Sequence, residues 1–223
     1  MNRITWMRGA LRWALTTIIA GAVLFVPAGR FDLPYLWGYL VVCSVLTIVF
    51  IMVMDPDLAR ERKHPGPGGL DPRLRAAAGP LWIGSVLLGS ADVGRWHWSD
   101  TVPALLQALA FVVFAFSMTL PVWAIAVNRF FSPVVRIQSD RGHHLIRSGP
   151  YGFIRHPGYA GMLFGSIGGA LAIGSWLGLV PVLVFAGLIL RRVVLEERFL
   201  RDHLAGYLDY SNAVRWRLVP GLW

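Results

Sequence analysis

The sequence predicts an all-α fold, a polytopic transmembrane helical bundle of five to six spans that ends in a C-terminal helical hairpin. The chain of 223 residues is 56% hydrophobic and 15% charged, and its mean hydropathy of +0.56 lies outside the range of ordinary soluble domains. Its apolar residues form separate stretches with polar segments between them. The ten tryptophans are typical of a protein with aromatic belts at the membrane interfaces.

Six apolar stretches are candidate spans, and they differ in length. A helix needs about 20 residues to cross a bilayer. The first four stretches are close to that length, whereas the last two are shorter and are compatible with a hairpin that does not fully cross in each direction. Small residues dilute the third stretch and favour close helix packing over lipid contact. The candidate spans are residues 10–28, 34–54, 76–94, 103–127, 159–174 and 176–192.

The first apolar run, Ala10–Val26, has two possible interpretations. Arg3 and Arg8 precede it and Arg12 lies near its start, so it is similar in layout to a secretory signal peptide. However, the residues after it, Val26-Pro27-Ala28-Gly29, make a poor cleavage site, and further apolar segments follow. We therefore expect a retained first span.

The basic residues are distributed unevenly between the two sides of the predicted bundle. Of the 21 lysines and arginines, all except Arg30 and Arg95 fall on the side that carries both termini. The positive-inside rule makes that side cytoplasmic. The net charge of +9 thus reflects membrane topology, and we expect an integral, multi-pass membrane protein whose partners include membrane lipids and exclude nucleic acid.

The polar loop between the second and third spans, residues 55–75, is too long for a tight turn. Its arginines and lysine suit a solvated loop that is attracted to anionic lipid head groups. The alternative is a lid over a binding site. Both interpretations stay open at the level of sequence.

Two motifs carry the chemistry of the chain. Residues Arg147–Tyr159, RSGPYGFIRHPGY, place two tyrosines, an arginine and a histidine on a turn between apolar stretches. Such a polar cluster at a membrane boundary costs stability unless it binds something. The pair Glu196 and Glu197 follows the last span on a helix without Gly or Pro. A hairpin returns this pair to the side of the first motif, so we expect one pocket from two segments.

The side chains of these motifs suit a ligand with an amino-acid end, a ribose and a positively charged sulfur. Aromatic faces attract a sulfonium, an arginine matches a carboxylate, and glutamates accept from an ammonium or a diol. S-adenosylmethionine is such a ligand. The rival uses are a metal site, whose spacing matches no zinc pattern, and simple interfacial anchoring of the hairpin. The groups in question are His143, His144, His156, Tyr151, Tyr159, Arg155, Glu196 and Glu197.

The two motifs resemble the integral-membrane methyltransferases that include isoprenylcysteine carboxyl methyltransferase and the phospholipid N-methyltransferases. The resemblance covers about residues 123–220. It departs from the family at Gly152 and Gly158, where larger residues are frequent, and a smaller Gly158 would enlarge or loosen the pocket. The matching residues are Gly149, Pro150, Tyr151, Arg155, His156, Pro157 and Tyr159, then Glu196 and Glu197, then Gly206, Tyr207, Tyr210, Arg217 and Pro220.

The resemblance implies residues 1–128 as N-terminal spans and residues 129–223 as the methyltransferase region with a cytoplasmic S-adenosylmethionine pocket. It implies a lipophilic or prenylated acceptor that enters from the bilayer, with carboxylate O-methylation slightly favoured over amine N-methylation. An NADPH-dependent reductase of the sterol type and a non-enzymatic lipid-binding protein are the alternatives. The expected catalytic residues are Arg155, Glu197 and Arg129, with Arg191 as a substitute for Arg129. The expected cofactor-binding residues are Gln138, His144, Leu145, Gly149, Tyr151, His156, Pro157, Tyr159, Glu196 and Glu197, and no metal is expected.

Overall fold

The computed structural model describes residues 3–223, with side chains from Trp6 onward, so the side chain of the basic residue Arg3 lies outside the described part. Within residues 3–223 the secondary structure is helical and contains no β-strand, apart from one isolated bridge between Leu70 and Val135. The predicted all-α fold class is therefore confirmed. The helices are α1 (Arg3–Ala28), α2 (Pro34–Val53), α3 (Pro56–Lys63), α4 (Pro72–Ala91), α5 (Ala104–Ser117), α6 (Thr119–Val127), α7 (Pro157–Ile173), α8 (Leu179–His203) and α9 (Tyr207–Ala213).

All six predicted spans are helical, but they are not equally suited to crossing a membrane. Among the described residues, four helical segments are long and apolar enough to span a bilayer, and α7 is apolar but shorter. α8 extends well past its apolar part, as predicted, and carries both glutamates on a continuous helix. The four segments are Trp6–Ala28, Pro34–Val53, Pro72–Trp96 and Ala104–Val127.

The long helices alternate in direction, so the connections gather at two ends of the bundle. At one end, the Arg95 guanidinium donates a 3.0 Å hydrogen bond to the carbonyl of Val26, and Ser175 of the α7–α8 turn bonds to Asp92. We call this the far end, formed by residues 29–33, 92–103 and 174–178. The opposite end, which we call the basic end, comprises residues 54–71, 128–156 and 204–223.

Glycines on α7 allow the helix to lie unusually close to α5 and its continuation. A Cβ atom on Gly165 would lie 2.5 Å from the Met118 sulfur, and one on Gly168 would lie 2.8 Å from the backbone nitrogen of Phe114. Both distances are shorter than real Cβ contacts, so only glycine permits this approach. The glycines of α7 thus form a face that contacts a neighbouring helix.

The ends of α7 determine where two features lie. These are the RHPGY segment, Arg155–Tyr159, and the turn of the α7–α8 hairpin. Pro157 occupies the first position of the helix, where its missing N–H removes no hydrogen bond. Gly174 ends the helix in the left-handed region, with φ of +102°. The chain then turns and α8 returns beside α7 to the basic end, which brings Glu197 back to Arg155.

Candidate active site

The basic end encloses a cavity of about 340 Å3. This volume lies within the range of about 300 to 1,000 Å3 that is usual for small-molecule sites. Its wall combines the RHPGY segment, α8, the residues after α6 and the start of α4. The main lining residues are Arg62, Leu74, Arg75, Asn128, Phe130, Phe131, Arg136, Gln138, His143, His144, Leu145, Tyr151, Arg155, His156, Pro157, Gly158, Tyr159, Met162, Glu196, Tyr207 and Tyr210.

Glu197 lies behind this wall, 3% exposed, and connects three segments of the chain. Its oxygens accept from Arg155 Nε at 2.7 Å and Nη2 at 3.0 Å, and from the Tyr207 hydroxyl at 2.7 Å. His156 Nε2 lies 3.0 Å from the same carboxylate and carries the proton, because an ionised carboxylate only accepts. Burial alone would raise the pKa of Glu197, but the bonds from His156 and Arg155 outweigh it and hold the pKa well below its usual value.

Arg155 uses the rest of its guanidinium to hold the C-terminal tail. Its Nη1 donates to the carbonyls of Ser211, Val214 and Arg215 at 3.3, 2.6 and 2.8 Å. The backbone N–H of Arg155 also donates to the carbonyl of Trp216. With its donors occupied by Glu197 and the tail, Arg155 stabilises the wall and has little capacity left for a ligand.

Tyrosines from two segments form the aromatic part of the wall. The hydroxyl of Tyr210 donates to the carbonyl of Tyr151 at 2.8 Å, and the Asn128 side-chain amide donates to the Tyr151 hydroxyl at 2.9 Å. Burial raises the pKa of Tyr151 above its ordinary value, so its hydroxyl stays protonated. Asn128 therefore lines the cavity and does more than anchor the end of α6.

Glu196 faces the cavity, one residue before the buried Glu197. It accepts a 2.7 Å hydrogen bond from the Tyr159 hydroxyl, and Arg192 Nε lies 3.5 Å away. The Glu196 side chain remains 24% exposed, so part of the carboxylate is accessible from the cavity. Consecutive residues on a helix point about 100° apart, which explains the different environments of the two glutamates.

His143 adds a neutral imidazole to the wall. Its Nδ1 accepts from the backbone N–H of Gln138 at 3.2 Å, and its ring packs on Phe130 at 4.6 Å between centroids. Burial, followed by the positive charges of His144 and Arg136, lowers the pKa of His143 to about 4. The ring is therefore neutral at pH 7 and offers its Nε2–H as a donor.

The loop 55–75 packs over this region through α3. Asp55 caps α3 by accepting from the backbone N–H groups of Asp57 and Leu58. One turn later, Glu61 is 5% exposed and forms a bidentate ion pair with Arg136 at 2.7 and 2.9 Å. Loop 55–75 is therefore not wholly solvated, because Glu61 of α3 is bonded to Arg136.

The structure brings most of the predicted site residues together. Nine of them line the cavity: Gln138, His144, Leu145, Tyr151, Arg155, His156, Pro157, Tyr159 and Glu196. Glu197 lies behind the wall, and Gly149 adopts a left-handed turn with φ of +60° beside Trp123. Arg129 lies outside the wall, half exposed and 3.5 Å from Asp57, and Arg191 pairs with Asp71. Within residues 3–223, no cluster of three or more metal-ligating side chains occurs.

Several lining residues were not among the predicted site residues. Tyr207 and Tyr210 belong to the tail that the family resemblance already marked, so this motif could have identified them. Phe130 and Phe131 follow α6 in the segment between α6 and α7. The remaining residues come from a distant part of the sequence, and no motif near them predicted a site. They are Arg62, Leu74 and Arg75.

Known proteins similar to this chain fall into one group. Residues 105–205 match the family model described as phospholipid methyltransferase. A probable protein-S-isoprenylcysteine O-methyltransferase from Oryza sativa subsp. indica is 34% identical over 92 residues, which is 40% of this chain and 48% of that protein. The protein-S-isoprenylcysteine O-methyltransferase of Saccharomyces cerevisiae is 33% identical over 86 residues, 38% of this chain and 36% of that protein.

The aligned part spans less than half of each of these relatives. The match lies in the C-terminal part of the chain, and residues 105–205 contain the RHPGY segment, both glutamates and most of the cavity wall. Residues 105–205 are therefore similar to the phospholipid methyltransferase family, and the family resemblance drawn from the two motifs is confirmed.

Proposed function

We propose that this protein is an integral-membrane methyltransferase that uses S-adenosylmethionine to methylate a lipophilic carboxylate of the isoprenylcysteine type. The observation that carries the proposal is the cavity built jointly by the RHPGY segment, the glutamate-bearing part of α8 and the tyrosines of the tail. The named relatives are isoprenylcysteine O-methyltransferases, which supports the same acceptor class. The charge distribution supports a cytoplasmic location for this end of the bundle.

The residues of the cavity fit S-adenosylmethionine. Glu196 offers a partly accessible carboxylate for an ammonium group or ribose hydroxyls, and Tyr151, Tyr207 and Phe130 offer aromatic surface for adenine or a sulfonium. When bound, this cofactor supplies a methyl group whose transfer forms a bond from the acceptor's lone pair and leaves the electrons of the broken bond on a neutral sulfur.

The protein contributes position and desolvation to such a transfer. In-line displacement depends on aligned reactants and the exclusion of water more than on proton transfer. The Arg155–Glu197–His156 cluster holds the wall in one arrangement, because each side chain is less than 6% exposed and bonded to the others or to the tail. Glu197 is thus a positioning residue in this proposal.

The cavity is more compatible with a carboxylate acceptor than with an amine acceptor. A protonated amine must lose a proton before it attacks, so an amine methyltransferase needs a base beside the acceptor. Among the described lining residues, Glu196 is the one carboxylate, and it already accepts from Tyr159. A carboxylate attacks without losing a proton, and four arginines line the same cavity, namely Arg62, Arg75, Arg136 and Arg155.

The test is calorimetric titration of S-adenosylmethionine into detergent-purified protein, with NADPH titrated in parallel. We expect saturable binding of S-adenosylmethionine and at least tenfold weaker binding by Glu196→Gln. Asp202→Asn is the matched control, since Asp202 is an exposed acid on the same helix away from the cavity. Binding of NADPH alone would assign the protein to the reductases, and binding of neither would contradict an enzymatic role at this cavity.

A further inference from the structure

Two of the four arginines that line the cavity have no acidic partner. Arg136 is paired with Glu61 and Asp140, and Arg155 is paired with Glu197. Within residues 3–223, no carboxylate lies within 4.0 Å of the guanidinium of Arg62 on α3 or Arg75 on α4. Both positions lie outside residues 105–205, so the family match assigns them no role.

Arg62 is held at the cavity with most of its donors free. Its Nη1 donates to the carbonyl of Phe131 at 3.2 Å, and its guanidinium lies 5.6 Å from the centroid of the Phe131 ring. Burial lowers the pKa of Arg62, partly countered by the nearby Tyr159. An arginine stays charged even so, and a partly desolvated cation without a counter-ion favours the binding of an anion.

The position of Arg62 is fixed by its neighbour in the sequence. Glu61 bonds to Arg136 through both oxygens and also accepts from the Ser132 hydroxyl at 2.9 Å. These bonds attach α3 to the segment between α6 and α7, which forms part of the cavity wall. Arg62 therefore presents a preorganised, planar fork, the geometry that binds a carboxylate through two parallel hydrogen bonds.

Apolar residues line the same cavity as the two arginines. Leu74 and Ala78 lie four residues apart on α4 and share one face, and Met162 lies on the adjacent α7. Both helices are apolar segments of the bundle, so this side of the cavity leads toward the bilayer. Arg75 is exposed at the rim, where its Nη2 donates to the carbonyl of Lys63 at 3.1 Å.

We infer that Arg62, with Arg75 at the rim, binds the anionic head of the lipophilic acceptor, whose apolar chain lies against α4 and α7. This inference rests on the proposed function and deepens it, because it names the side chains that select an anionic acceptor. The planar fork of Arg62 orients the carboxylate toward the cavity, and Arg75 attracts it from the membrane surface. The phosphate of an anionic lipid shares this chemistry and is the competing occupant.

The experiment measures the binding of two probes to protein in nanodiscs of neutral phosphatidylcholine. The probes are N-acetyl-S-farnesylcysteine and its neutral amide, which differ in the charge of the head. We expect at least tenfold tighter binding of the carboxylate, and we expect Arg62→Gln to reduce this preference about tenfold and Arg75→Gln about threefold. Arg60→Gln is the matched control, because Arg60 lies on the same helix, pairs with Asp57 and does not line the cavity.

The binding of S-adenosylmethionine is measured on the same variants and separates the two proposals. Normal cofactor binding together with an unchanged carboxylate preference in Arg62→Gln overturns the inference and leaves the proposed function intact. Failure of the unmodified protein to bind S-adenosylmethionine overturns the proposed function itself. In the last arm of the experiment, the nanodisc contains phosphatidylglycerol. If this lipid competes with the carboxylate probe, and if the competition disappears in Arg62→Gln, the site binds a lipid head group. That result would overturn the acceptor assignment.

Discussion

Two buried carboxylates at opposite ends of the bundle show that the same chemical group can have very different surroundings. Glu197 at the basic end is 3% exposed and Asp92 at the far end is fully buried, and each accepts four hydrogen bonds. The hydrogen bonds to Glu197 come from Arg155, His156 and Tyr207, and the guanidinium groups of Arg201 and Arg217 lie 3.7 and 3.6 Å away. Asp92 is surrounded by two serine hydroxyls and two backbone N–H groups.

The comparison shows that a saturated buried carboxylate does not by itself mark an active site. Both clusters join segments that are distant in sequence: Glu197 joins α8 to the RHPGY segment, and Asp92 joins the end of α4 to the α7–α8 turn. The difference lies next to them. The Glu197 cluster forms the back of the cavity at the basic end, whereas Asp92 does not line that cavity.

The largest effect is expected from Glu197→Gln. A neutral amide leaves the buried cation of Arg155 without a counter-charge, which typically costs about 3 to 5 kcal/mol. We expect a large fall in the thermal unfolding temperature in detergent, together with loss of S-adenosylmethionine binding. Glu196→Gln separates the two effects, because it removes a cavity carboxylate without breaking the buried cluster. Equal stability of the two variants would contradict the distinction between a positioning and a binding glutamate.

Asp92→Asn tests the far end and should have a smaller effect. The amide keeps the size of the side chain but replaces one accepting oxygen with a donor, so some of the four donors around it lose a partner. Leaving buried donors unsatisfied costs about 1 to 3 kcal/mol. The unfolding temperature should fall while the dissociation constant for S-adenosylmethionine stays unchanged. A change in cofactor affinity beyond threefold would show that the two ends are coupled.

The two carboxylates also show how far the sequence predicts this molecule. Hydropathy predicted the helices and the hairpin, and the motifs predicted that Arg155 and Glu197 meet. Nothing in the sequence predicted the role of Asp92, because its partner Ser175 lies 83 positions away. Likewise, nothing in loop 55–75 indicates that Glu61 bonds to Arg136, a contact across 75 positions that depends on tertiary packing.

Gly158→Ala sharpens the comparison within the basic end. The sequence analysis predicted that the small Gly158 enlarges or loosens the pocket, but the Phe131 ring occupies that space, since an added Cβ would lie 2.5 Å from it. The ring must shift and disturb the Arg62 contact that it supports. We expect a severalfold loss of carboxylate-probe binding with little change in cofactor affinity. Gly152→Ala is the control, because its Cβ would meet its nearest neighbour at 3.6 Å, an ordinary contact.

The smallest expected effect is on the pH dependence of stability. It distinguishes the contribution of His143 from that of Glu197. The folded-state pKa of His143, about 4, lies below its ordinary value of 6.5, so protonation favours the unfolded chain and stability is lost as the pH falls from 6.5 toward 4. The pKa of Glu197 is also depressed, so its contribution is lost only below the ordinary value of 4.5. Between pH 7 and pH 5 the unfolding temperature should therefore fall because of His143.

His143→Gln removes this titration while keeping an oxygen that can accept from the Gln138 N–H. The variant should lose less stability than the unmodified protein between pH 7 and pH 5, and both should lose stability alike once the pH is below about 4. His203→Gln is the control, because His203 is exposed on α8. An identical decline in all three proteins would mean that the cavity wall does not hold His143 away from water. In that case the acid sensitivity of the basic end would have to arise from its carboxylates alone.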